Sequence, residues 1–173
     1  MLLLDVAAQY ANYNSDLTRT IPVSGRFSRR HRQIYQAVLR VLRGSIKAAT
    51  PGKLPKQWQK EAEALMQQEL LELGLLKTAE VRKQDPGNPA LKKYFMHGIG
   101  HPIGLDVHDL TLTTRPMEPG WVLTVEPGIY LPEEGFAVRL ENNIVVQDGG
   151  NVDLMADIPI EAREIEDLMR RGK

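Results

Sequence analysis

The sequence predicts an α+β fold on three observations. Short β-prone runs occupy both ends of the chain, two longer segments between them carry apolar residues at helical spacing, and clusters of Pro and Gly separate the pieces. Taken in order, LLLDVA (2–7) and YNSDLTRTIP (about 13–22) read as two strands joined by the polar AQYAN segment in a hairpin. Ser28 is a good helix N-cap. Beyond it Ile34, Val38, Leu42 and Ile46 line one face of a helix that ends near Thr50-Pro51-Gly52. A second helix follows Pro55, turns Trp58, Ala62, Leu65, Leu70 and Leu73 inward, and stops around Gly74. Residues 77–93, which hold DPGNP, read as a loop in which Gly and Pro prevent regular structure. Two β-prone runs follow, WVLTVEPGIYL (121–131) and FAVRLENNIVVQ (136–147), separated by the turn-forming PEEG. The tail EAREIEDLMRR (161–171) reads as a terminal helix.

Composition narrows the function. The 173 residues, 42% hydrophobic and 25% charged, suffice for one core and one domain. Twenty-two basic and twenty-two acidic side chains cancel. No global field therefore draws the chain to nucleic acid or to an anionic membrane, and neither is expected as a partner. The basic run GRFSRRHRQ (25–33) is local and reads as the solvated start of a helix. With no cysteine, disulfides, thiolate metal sites and a cysteine nucleophile are excluded. No apolar stretch reaches the roughly 18 residues of a membrane span, and MLLLDVAAQY has an acid at Asp5 and no basic n-region. A cytoplasmic setting is the expectation.

The chemistry lies in misplaced polar residues. Three of the four histidines, His97, His101 and His108, fall within the glycine-punctuated run FMHGIGHPIGLDVHD (95–109). Four acids interrupt apolar or β-prone runs: Asp5 within LLLDV, Asp16 before LTRT, Glu126 after LTV, and Glu141 between VRL and NNIVV. Acids are disfavoured in strands and are rarely buried unless paired, hydrogen-bonded or bound to metal. If the runs are strands of one sheet, the four carboxylates could point to a shared locus where a cation offsets their repulsion. With one histidine, the set becomes a carboxylate-rich site for two divalent metals. Each residue alone has a plainer reading. Asp5 could be a solvated turn acid, Asp16 a turn cap, His101 a hydrogen-bonded loop histidine, Glu126 an exposed turn acid, and Glu141 a partner of Arg139 on the same strand face.

The ordered contexts DVAAQYANYNSDLTRT, HGIGHPIGLDVHD, TVEPG and VRLEN resemble the metal site of the pita-bread (creatinase/methionine aminopeptidase-like) metallopeptidases. They are most similar to the aminopeptidase P and prolidase branch. The resemblance implies a curved, mostly antiparallel sheet covered by helices. It also implies two divalent metals, manganese first, with Co2+, Zn2+ or Fe2+ as alternatives. By motif, Asp5 would chelate one metal, Asp16 and Glu141 would bridge both, and His101 and Glu126 would bind the other. His108 resembles the histidine that hydrogen-bonds the scissile carbonyl, and His97 and Arg139 match positions lining the substrate side. Glu126 would pass a proton from water to the leaving nitrogen.

The implied reaction removes an N-terminal residue from a peptide with proline at its second position. The same resemblance leaves two alternatives: a prolidase cleaving Xaa-Pro dipeptides, and an inactive fragment or binding module of the same fold. The match corresponds to the C-terminal part of the family's catalytic domain. Residues 1–173 are therefore expected to form a single pita-bread catalytic domain lacking its N-terminal helices and first strand. An uncovered sheet edge and apolar face would then favour a homo-oligomer, and a substrate-side histidine of the family would be missing. Ala7-Ala8 stands where relatives often have glycine after the first aspartate.

Overall fold

The computed structural model describes residues 1–110 and 113–171. Its sheet framework consists of two bent antiparallel hairpins lying side by side. The first runs through β1 (Leu2–Val6), β2 (Gln9–Tyr10), β3 (Tyr13–Asn14) and β4 (Leu17–Ile21). β1 pairs with β4, placing Asp5 opposite Thr18. β2 and β3 form a separate short ladder, closed by Ala11 and Asn12 at φ 49° and 66°. The strand expected over 13–22 is thus two strands with Ser15 and Asp16 in the break. There the Ser15 N–H donates to the Ala8 carbonyl at 2.9 Å, and the Ser15 hydroxyl accepts from the Ala8 N–H at 3.0 Å. These bonds satisfy backbone groups where the ladder bends.

The second hairpin contains β5 (Val122–Val125), β6 (Gly128–Leu131), β7 (Phe136–Arg139) and β8 (Asn142–Val145). β6 pairs with β7 and β5 with β8, and a short β9 (Val152–Asp153) extends the β8 edge. Both expected continuous runs divide, at Glu126-Pro127 and at Leu140-Glu141. Pro127 has no N–H to offer a ladder. The Glu126 N–H instead donates to the Ile99 carbonyl at 2.7 Å, and the Glu141 N–H donates to the Thr18 carbonyl at 3.0 Å. The two hairpins are also joined by Thr20, whose hydroxyl donates to the Arg139 carbonyl at 2.8 Å and accepts from the Arg139 N–H at 3.1 Å.

Helices α1 (Arg29–Ala48) and α2 (Pro55–Glu72) separate the hairpins in sequence. Ser28 caps α1, accepting from the His31 N–H at 3.1 Å. The helix buries Ile34, Tyr35, Val38, Leu39, Val41 and Leu42, a wider face than the row expected from spacing, because it packs on both α2 and the second hairpin. Leu65 of α2 lies over Gly44, where a Cβ would stand 2.7 Å from the leucine Cδ1. The buried row of α2 follows Trp58, Ala62, Met66 and Leu70, one residue every four, while Leu65 and Leu73 are only partly buried. Glu69 is buried too, and Arg40 holds it through two bonds of 2.7 and 2.6 Å.

The segment 77–93 departs from the expected loop. It contains α3 (Thr78–Lys83) and a 3-10 turn at Ala90–Lys93. The helix breakers are confined to Pro86–Pro89, and upstream of them Glu80 accepts from the Lys77 N–H at 2.7 Å, closing the first turn of α3. The terminal helix α4 (Ala162–Arg171) lies against α1. Among the described residues no helix is long and apolar enough to cross a membrane.

Candidate metal centre

Three of the four intrusive acids fall at the two hairpin bends. Asp16 sits where β3 gives way to β4, and Glu126 and Glu141 sit opposite one another where the second hairpin breaks. A residue outside the ladder is free of the pleat, so its side chain can turn toward the neighbouring hairpin. Asp5 alone stands within a strand, with Thr18 as its cross-strand partner. His101 arrives on an irregular segment that runs along β5. Its N–H donates to Thr124 Oγ1 at 3.0 Å, and its carbonyl accepts from the Thr124 N–H at 2.8 Å. Gly100 permits this approach, because a Cβ there would stand 2.0 Å from the Thr124 carbonyl oxygen.

The result is a convergence of side chains distant in sequence. Asp16, His101 and Glu141 offer ligand atoms that all lie within 4.8 Å of one another. His101 Nε2 is 3.7 Å from Asp16 Oδ2 and 3.7 Å from Glu126 Oε1. Asp5 adjoins Asp16 closely enough for a carboxyl–carboxyl hydrogen bond. The plainer readings fare unevenly. Asp5 is exposed, but it is paired with Arg139, and Glu141 bonds to Thr18 rather than to the Arg139 side chain.

The donor set fits a divalent cation on three counts. First, His101 Nδ1 lies 2.9 Å from the Pro102 carbonyl. A carbonyl only accepts, so Nδ1 carries the proton and Nε2 presents its lone pair to the acids. Second, Glu141 is 2% exposed, and its Oε1 is buried with no hydrogen-bond partner, an arrangement costly unless something positive faces it. Third, burial, reinforced by neighbouring acids, pushes Glu126 up to about 7 and Glu141 up to about 8. Burial and the adjacent Asp5 also raise Asp16. Carboxylates that resist ionisation because they are desolvated and mutually repelled are the groups a bound cation would relieve. Oxygen ligands with a single imidazole suit Mn2+, Co2+, Fe2+ or Zn2+.

Around the acids, the bonds have a fixed sense. His97 Nδ1 faces the Gly98 carbonyl at 2.8 Å, so its Nε2 accepts from the Tyr130 hydroxyl at 2.8 Å. Burial holds the His97 imidazole below its ordinary value, which suits a neutral ring. Arg139 donates from all three of its nitrogens: Nη1 to Tyr130 at 3.2 Å, Nε to Thr18 at 3.1 Å, and Nη2 to Asp5 at 2.5 Å. Its guanidinium thus ties the histidine run to the acids. His108 is exposed and meets His101 edge to face, with ring centroids 4.2 Å apart. It therefore borders the open side of the cluster.

Sequence reasoning missed Thr18, Tyr130 and Thr124. Thr18 had a readable signal, lying two residues beyond Asp16 in the same β-prone run. Tyr130 and Thr124 had none, because their roles arise from contacts across the fold.

A model of metallopeptidase family M24 matches residues 1–148. The chain is 38% identical over 184 residues to the Xaa-Pro aminopeptidase of Haemophilus influenzae, covering 98% of this chain and 42% of that protein. It is 37% identical over 179 residues to human Xaa-Pro aminopeptidase 3, covering 97% of this chain and 35% of that protein. A zinc-substituted Escherichia coli aminopeptidase P in complex with product superposes with a TM-score of 0.88 at 38% identity, over 99% of this chain and 41% of that one. The chain thus spans between 35% and 42% of the length of these relatives. With hairpins, helices and family signature in agreement, this is a pita-bread fold and the chain belongs to metallopeptidase family M24.

Proposed function

We propose that this chain carries the catalytic centre of a dinuclear metal-dependent aminopeptidase, which hydrolyses the N-terminal Xaa-Pro bond of peptides. The observation that carries the reading is the convergence of Asp16, His101 and Glu141, with Glu126 and Asp5 adjoining and Glu141 Oε1 left bare. In this reading Asp5, Asp16, His101, Glu126 and Glu141 would together hold two divalent ions, with Mn2+ as the native ion. When bound, the metals supply Lewis acidity and a water of lowered pKa. The protein's own groups do the rest. His108, on the open side of the cluster, donates a hydrogen bond to the scissile carbonyl oxygen as negative charge develops there. Glu126 accepts a proton on the water side and returns it to the leaving nitrogen, a tertiary amide nitrogen when proline follows. His97 and Arg139 line the substrate side.

Prolidase activity on Xaa-Pro dipeptides is the near alternative. A non-catalytic unit of the same fold is the second reading; the chain spans about two fifths of the length of these relatives. Homo-oligomer formation belongs to the proposal as well, supported by the exposure of Leu2, Leu4 and Val6 along β1. The test is to load the chain with Mn2+ and follow N-terminal residue release from Xaa-Pro-Yaa tripeptides, Xaa-Pro dipeptides and Xaa-Ala-Yaa controls. Tripeptide cleavage dependent on proline, metal and Glu126 supports the aminopeptidase. Cleavage of dipeptides alone selects prolidase. Metal uptake without turnover selects the non-catalytic unit, and failure to bind Mn2+ overturns the metal reading altogether.

A further inference from the structure

Thr18 is fully buried on β4, between the two hairpins, and its hydroxyl has two neighbours. Glu141 Oε2 lies 2.6 Å away and Arg139 Nε lies 3.1 Å away. The direction of both bonds follows from chemistry. An arginine Nε only donates, so the Thr18 oxygen must accept there, and its single proton is then committed to Glu141 Oε2. One carboxylate oxygen is thereby held, and Oε1 is the oxygen left buried and bare. The same hydroxyl fixes Arg139, whose Nη2 reaches Asp5 Oδ2. Below it, the Thr18 carbonyl accepts the Glu141 N–H at 3.0 Å. One residue therefore grips Glu141 by both backbone and side chain, and reaches Asp5 through a single intervening guanidinium.

We infer that Thr18 is a positioning residue for the metal centre. Its hydroxyl holds Oε2 and so sets the rotation of the Glu141 carboxylate, leaving Oε1 without a protein partner, and it anchors the arginine that orients Asp5. The inference rests on the metal reading above and deepens it: a ligand pair from opposite ends of the chain is aligned by a residue that touches no metal. Were Thr18 simply a β-branched filler of the sheet, Val would serve equally well, since it has the same shape and a similar strand preference.

The experiment titrates Mn2+ into the metal-free chain by calorimetry, with electron paramagnetic resonance counting bound ions, for the wild type, Thr18→Val and Thr18→Ser. Thr18→Val is expected to weaken Mn2+ binding by about 10–100-fold, the range typical of residues that orient metal ligands. Thr18→Ser, which keeps the hydroxyl, is expected to restore most of that loss. If Thr18→Val does not stay folded in chelator, as judged by circular dichroism, Thr18→Ala carries the same comparison. Wild-type affinity in the Val or Ala variant would overturn the inference while leaving the metal reading intact, as would a Ser variant as weak as Val. Absence of Mn2+ binding by the wild type would overturn the metal reading, and this inference with it.

Discussion

Removing metal should make the folded state lose stability as pH rises, contrary to the usual behaviour of proteins whose acids sit in salt bridges. The groups responsible are Glu126 and Glu141, which burial and neighbouring carboxylates push up to about 7 and about 8. In the unfolded chain both titrate near the ordinary glutamate value, about 4.3. A carboxylate with a raised folded-state pKa stabilises the fold fully below its unfolded value. That contribution is then lost as pH climbs through the folded value. Between those limits the folded state holds protons that the unfolded chain has released. Each such proton contributes a slope approaching about 1.4 kcal/mol per pH unit. One fully effective proton between about pH 5 and 7 therefore costs close to 3 kcal/mol, a large share of a typical stability of about 5–15 kcal/mol. Asp16, raised in the same direction, adds to the trend. Saturating Mn2+ should reverse it, because metal binds the ionised ligands and competes better as protons leave. Urea unfolding in chelator and in excess Mn2+, at about pH 5.5, 7 and 8.5, measures both slopes. Glu141→Gln, which cannot ionise, should flatten the chelator series. A metal-free protein whose stability stays level or rises across that range would refute the claim that these acids are crowded and desolvated.

Two further outcomes follow from backbone geometry. Gly100→Ala would set a Cβ 2.0 Å from the Thr124 carbonyl oxygen and 3.1 Å from the Trp58 ring. Since the first neighbour is backbone, the His101 segment must lift off β5, and urea unfolding should show a loss of about 1–3 kcal/mol or more, with weakened Mn2+ binding. Wild-type stability would refute the close approach. Ala11→Gly should do the opposite. Ala11 holds φ at 49° in the tight turn between β2 and β3, a conformation glycine adopts without penalty, so thermal denaturation should show a gain of about 0.5–1 kcal/mol with metal binding unchanged.

The parts of this architecture that were legible in sequence are those written in local chemistry. Ser28, Pro55 and the apolar spacing of 34–46 announced the two long helices, and the β-prone runs announced the hairpins. The breaks were not legible. Nothing in YNSDLTRTIP marks Ser15 and Asp16 as leaving the ladder, since the bonds between Ser15 and Ala8 that permit it come from the far side of the hairpin. Pro127 did mark one break, yet TVEPGIYL still looked continuous because its flanks are β-formers. The short helix at Thr78–Lys83 was not legible for the converse reason: the Pro-Gly cluster of 86–89 suggests a loop throughout, yet it does not touch the residues upstream of it. At the site, residue identities were readable and spatial relations were not. Asp5, Asp16, His101, Glu126 and Glu141 stood out as misfits in their surroundings, whereas the partner that Arg139 would choose depended on which hairpin lay beside it.

These observations give a physical reason for the location of the acids. A carboxylate inside a continuous ladder is forced by the pleat to one side of its own sheet and cannot easily turn toward a neighbour. At a bend it can, provided the backbone groups freed there find partners elsewhere. Each bend here supplies them: Ala8 for Ser15, Ile99 for the Glu126 N–H, and Thr18 for the Glu141 N–H. The last two bonds also tie together the segments whose side chains meet, the histidine run with β5–β6 and the first hairpin with β7–β8. The interruptions that admit Glu126 and Glu141 are thus stitched by the elements that face them. A substitution that healed a bend into regular sheet would remove the ligand and the contact that places it in a single stroke.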